Sequence, residues 1–170
     1  MAKTFSVVGQ TVAVSDTTNW LVASGGVATI QPGTPVKGVD AAAASPWLGT
    51  VVPMADGDGT TTQRFIGIAK NASTDTAAAA GAVNVINPLP GILYKGFAKT
   101  STTADTAAEV QALQGKRVVF DLTSTDWTVD AAAADAVANN IVIAGGDYQT
   151  ATLYFWYAAK GTWINFCISA

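Results

Sequence analysis

Short apolar runs separated by small polar turns mark most of this chain, and their period is two residues, not the 3.6 of an amphipathic helix. The blocks are rich in β-branched and aromatic side chains and are bounded by Gly, Pro, Asn and Asp, which is the signature of short strands. They fall at 11–14, 20–23, 27–30, 34–39, 47–54, 65–69 and 82–86. A second set follows at 91–97, 117–122, 127–129, 141–144, 151–158 and 162–168. The joints between them carry turn chemistry. "QPGTP" at 31–35 and "PLPG" at 88–91 combine proline's fixed φ with glycine's tolerance of positive φ. "ADGDG" at 55–59 and "AGGD" at 144–147 suit tight reversals, and "AAKG" at 158–161 joins the last two strands as a hairpin. The pattern predicts an all-β fold, a β-barrel or a β-sandwich of jelly-roll or tulip-like form, spanning 1–170 as one domain with one or two short helices.

One helix is expected within 103–115, where Asp105 or Thr106 caps, Glu109 lies in the first turns and Gly115 stops it. The alanine-rich stretch 129–140 is the second candidate. In the final hairpin, alternation sends Leu153, Phe155 and Tyr157 to one face and Tyr154, Trp156 and Ala158 to the other. Its second strand puts Ile164, Phe166 and Ile168 opposite Trp163, Asn165 and Cys167. Large side chains on both faces imply that one lines the core. The other lies under a second layer or meets another subunit.

Composition narrows the possible partners. Lys and Arg number 9 against 12 Asp and Glu, a net charge of −3, which gives no footprint for a phosphate backbone. Nucleic acid is therefore not an expected partner. No apolar run approaches the ~18 residues that span a bilayer, so no membrane is expected either. The opening "MAKTFSVVGQ" lacks an apolar leader and cleavage site, and a single cysteine excludes an internal disulfide, so synthesis in a reducing cytoplasm is expected. Charged residues make up only 12% of the chain where about 25% is usual, a hint that other protein covers part of the surface.

Catalytic chemistry finds little to work with. Without histidine there is no Ser-His-Asp or Cys-His arrangement and no commonest transition-metal ligand. Cys167 sits in an apolar strand and reads as a small hydrophobe. Asp56 and Asp58 in "DGDGTTTQ" faintly resemble a calcium loop, but the only glutamate, Glu109, lies far away. Gly25-Gly26 and Gly145-Gly146 lack the context that cradles phosphate. No catalytic residue, metal or cofactor is expected. The five tryptophans fit a core or an interface better than a sugar-stacking platform.

The middle of the chain carries a family resemblance. "FIGIAKNAS" from Phe65, a small-residue spacer over 71–81, "AVNVINPLPGILYKGFA" ending at Ala98, and the earlier "QPGTPVKGV" together resemble the head decoration, or cement, proteins of tailed bacteriophages. The resemblance implies a β-barrel or β-sandwich that binds the outside of an assembled capsid, commonly as a homotrimer, and bridges major capsid protein subunits without catalysis. It implies a place on the outer surface of the virion. Aromatics are enriched at interface cores, so Tyr154, Trp156 and Trp163 are the expected contacts. The segment 1–10, with Phe5 and Val7, is expected as an N-terminal arm that orders on a capsid or a neighbouring subunit. A tail, fibre or baseplate module and a carbohydrate-binding β module remain as alternatives.

Overall fold

A computed structural model describes residues 3–10, 17–22, 30–38, 50–60, 65–74, 81–88 and 92–158. The expected strands at 11–14 and 162–168, the hairpin turn at 158–161 past Ala158, and Trp163 lie outside these residues. Strand β1 (Ser6–Gln10) comes first. The next five, β2 (Thr17–Val22), β3 (Pro35–Gly38), β4 (Thr50–Pro53), β5 (Phe65–Ala69) and β6 (Gly81–Ile86), close into a barrel in the order β2-β4-β3-β5-β6. Its β2–β4 pair is parallel and its other pairs are antiparallel. Trp20, Val22, Ile30, Val36, Val51, Ile66, Ala69, Val83 and Val85 fill the interior. The turn before β3 forms as its sequence predicts: Thr34 N–H donates to the Gln31 carbonyl at 3.0 Å, and Gly33 supplies a φ of +86°.

The remaining strands are β7 (Ile92–Phe97), β8 (Arg117–Thr123), β9 (Asp126–Asp130), β10 (Ile141–Asp147) and β11 (Thr152–Tyr157). With β1 they form an antiparallel sheet in the order β1-β7-β11-β10-β8-β9. This sheet curls until its two edges approach. Trp127 N–H donates to the Lys3 carbonyl at 3.0 Å, and Lys3 N–H donates to Asp126 Oδ1 at 3.1 Å. Ala98, just past β7, bridges Val129 of β9. The concave side holds a ring-rich core of Phe5, Tyr94, Phe120, Phe155 and Tyr157. Each fully buried ring of this kind contributes roughly 1.5–3 kcal/mol relative to an exposed one.

Strand β5 serves both cores, which is why all five of its residues are buried. Phe65 and Ile68 belong to the sheet core, whereas Ile66 and Ala69 line the barrel. Simple alternation would put residues 65 and 68 on opposite faces. A register shift between Val36 and Lys37, which face Gly67 and Phe65, inserts one extra residue and reverses the phase. Gly67 makes this bulge possible: its φ is +147°, and a Cβ there would collide with the Ile86 carbonyl oxygen.

Three sequence expectations need correction. Residues 6–10 are not a free arm but an edge strand of the chain's own sheet, paired with β7 from Ser6↔Lys95 to Gln10↔Ile92. No helix forms over 131–140: the chain turns after Asp130, whose carbonyl accepts from Ala133 N–H at 3.1 Å, and Asp135 and Asn139 then tie the segment to Arg117 of β8, at 3.1 and 3.3 Å. "AGGD" is not a reversal, because β10 runs on through it to Asp147 by way of a bulge at residue 144. "ADGDG" does reverse the chain, with Asp58 N–H donating to the Ala55 carbonyl at 3.1 Å and Gly57 at a φ of +76°, and it also brackets barrel to sheet, with Gly57 N–H donating to the Phe120 carbonyl and Phe120 N–H to that of Asp58. The helix within 103–115 is present as α1 (Ala107–Leu113), after a 3-10 turn at Ser101–Thr103. Thr106 and Glu109 form a reciprocal capping box, and Val110 and Leu113 bury the inner face.

Candidate interaction surface

The convex side of the curled sheet is built by β7 and β11. Because Ile92, Tyr94 and Gly96 point inward, β7 presents Leu93, Lys95 and Phe97 outward. By the same alternation β11 presents Thr152, Tyr154 and Trp156, while Leu153, Phe155 and Tyr157 are buried. The register then sets the neighbours. Lys95 stands between Ser6 and Tyr154, Phe97 is opposite Thr152, and Trp156 is opposite Val142, itself opposite Arg117.

Two large rings on this face meet solvent, Trp156 at 44% and Phe97 at 38% exposure. Tyr154 and Leu93 are half-buried. Charges of both signs border these rings: the Lys95 side chain is exposed, the Lys3 ammonium lies 5.7 Å from the Phe97 ring centroid and Arg117 borders the Trp156 row, while Asp147 stands opposite Thr152 in the Phe97 row and Asp126 accepts from Lys3 N–H. Leu21 on the barrel, Val137 and Tyr148 are the other exposed large apolar residues among those described.

The expected contact residues separate. Tyr154 and Trp156 lie on the patch. Phe5 does not: its ring is 4% exposed inside the sheet core, 5.0 Å from the Phe120 centroid and 5.3 Å from that of Phe155. Val7 is paired opposite Tyr94 within the sheet. The sequence reading missed Leu93, Lys95, Phe97 and Arg117. The signal for the first three was present in "ILYKGF", whose period of two separates the same faces as in β11.

The carboxylates of Asp56, Asp58 and Asp121 are occupied structurally. Asp58 Oδ2 accepts from Lys37 Nζ and from Ala55 N–H, each at 2.6 Å, and Asp56 Oδ1 accepts from Leu122 N–H at 3.1 Å. Asp121, almost fully buried, meets Lys99 Nζ at 2.7 Å and the hydroxyls of Thr123 and Thr128 at 2.9 and 3.1 Å. Lys99 also reaches Asp130 at 3.5 Å, so this cluster clasps β8 and β9 to the end of β7. Among the described residues no three Asp, Glu, Cys or His side chains converge as metal ligands. No described helix is long and apolar enough to cross a membrane.

No family model matches the sequence, and neither the curated proteins nor the solved structures contain a match. The fold and the patch define an all-β protein with a closed barrel and an exposed aromatic face.

Proposed function

We propose that this protein is a non-enzymatic component of a tailed-phage virion, a head decoration protein that binds the outer surface of an assembled capsid. In this reading it acts as a homotrimer and bridges neighbouring major capsid protein subunits. The observation that carries the reading is the convex face of β7 and β11, where Trp156 and Phe97 are exposed beside Lys95. Tryptophan and tyrosine dominate the energetics of protein interfaces, and charges of both signs around them would fix the orientation of the partner. The resemblance around Phe65–Ala69 and residues 83–98 supplies the kind of partner. A protein that binds only the assembled shell favours that shell by mass action.

The test is cosedimentation of the purified chain with source capsids stripped of it, together with gold labelling of intact particles. Binding to heads is expected, with Trp156→Ala weakening it by about 30-fold, as for a central interface aromatic. Gold confined to tails would move the protein to a tail or fibre module. Glycan binding without capsid binding would replace the proposal with a carbohydrate-binding role.

A further inference from the structure

Where the barrel bracket meets the sheet, three buried side-chain atoms have no hydrogen-bond partner: Nδ2 and Oδ1 of Asn140 and the hydroxyl oxygen of Tyr157. Asn140 is 0% and Tyr157 7% exposed. Their surroundings hold both in place. Asn140 N–H donates to the Gly59 carbonyl, and the Asn140 carbonyl accepts from Ala158 N–H, both at 2.7 Å. Tyr157 is paired opposite Ile141, and its ring stacks on Phe65 with centroids 4.2 Å apart. Neither side chain reaches solvent without breaking a strand pair or the stack.

The Asn140 amide comes close enough to the Tyr157 phenol to interact with it, but short of full hydrogen-bond geometry, so all three atoms stay unsatisfied. Asp58 is also near, but its Oδ2 is engaged by Lys37 and by Ala55 N–H. Buried polar groups in folded proteins are almost always satisfied, by protein or by ordered water. An amide offers two donors and an acceptor, and a phenol one of each. A cation accepts nothing from Nδ2 or the phenol, and an anion donates nothing to Oδ1. Water does both.

We propose that this junction is an internal hydration site, where at least one ordered water is shared by the Asn140 amide and the Tyr157 hydroxyl. The water links the ends of β10 and β11 at the place where Gly59, in the barrel bracket, is bonded to Asn140. Buried waters of this kind make about three hydrogen bonds and are costly to remove.

A high-resolution crystal structure of the full chain, paired with water–amide cross-relaxation by NMR, tests the site. The expected result is a density peak within hydrogen-bond distance of both side chains, and a long-lived water contact at the Asn140 side-chain amide protons. In Tyr157→Phe the contact should persist with a shorter residence time. A direct bond between Asn140 and Tyr157, or another protein group filling the space, with no water peak, would overturn the proposal.

Discussion

The ring of Phe5 occupies the space that a side chain at residue 96 would need: a Cβ added to Gly96 would fall on the ring's Cδ1 and Cε1 atoms. The segment before β1 is thus locked into β7 by a ring seated over a glycine. Phe5→Ala is expected to destabilise the fold by about 3–5 kcal/mol, in the range for a buried ring. Urea denaturation measures it. An unchanged midpoint would mean that the segment is a free arm after all.

Gly67 makes a second close approach, against the Ile86 carbonyl oxygen and the Val85 side chain. Gly67→Ala adds a Cβ at a φ of +147°, in backbone space that L residues rarely adopt. We expect it to cost more than about 2 kcal/mol, or to abolish soluble expression. Gly57→Ala serves as the control, because its positive φ faces open space and involves no collision.

The Asp121 cluster predicts a pH profile. Burial disfavours the Asp121 carboxylate, but the bonds from Lys99, Thr123 and Thr128 outweigh it and hold its pKa below the ordinary 3.8. A depressed acid stabilises the fold fully above its unfolded value and loses that contribution as pH falls through the folded one. Lys99 moves the other way: its hydrogen bond to Asp121, with the nearby charges of Asp130 and Asp121, raises it above 10.5. Its contribution is complete below 10.5 and fades as pH rises through the folded value. Asp121→Asn is expected to cost about 2 kcal/mol at neutral pH, as for a lost charged hydrogen bond. The gap to wild type should shrink in acid below pH 3.8, which thermal unfolding across pH would record. A gap independent of pH would refute the assignment.

Adjacent residues of β11 should respond differently. Phe155, fully buried against Phe5, Tyr94 and Phe120, is expected to cost about 3–5 kcal/mol when replaced by alanine. Trp156→Ala should stay within about 1 kcal/mol of wild type in stability while losing partner affinity. Calorimetry and a binding assay on the two variants separate core from interface.

Strand positions were legible because β-branched and aromatic runs have little choice of conformation, and "FIGIA" at Phe65–Ala69 matches β5 residue for residue. The two faces of β11 and the Thr106 cap were legible for the same local reasons. Pairing was not. Nothing in "SVVGQ" announces that residues 6–10 pair with residues 92–95, since that register is set by Phe5 finding Gly96 across the fold. The stretch 129–140 misled because alanine favours helix, while bonds to a distant strand hold it as turns: Arg117 N–H donates to Asp135, and the Asn139 amide donates to the Arg117 carbonyl. At the interaction surface, Trp156 was legible by alternation alone, whereas Arg117 joins its row only through the order of strands.

The curled sheet needs residues from both sides of the barrel's span, and this orders events on the ribosome. All five barrel strands lie within residues 17–86, so that unit is complete before β7 emerges. Phe65 and Ile68 then wait uncovered, and the earliest strand stays unpaired until its partner has been synthesised. Edge β1 closes onto residues translated some eighty positions later, a non-local step of the kind that folds slowly. During that interval the nascent chain presents a greasy strand and an open edge, and a chaperone that shields them would raise its yield.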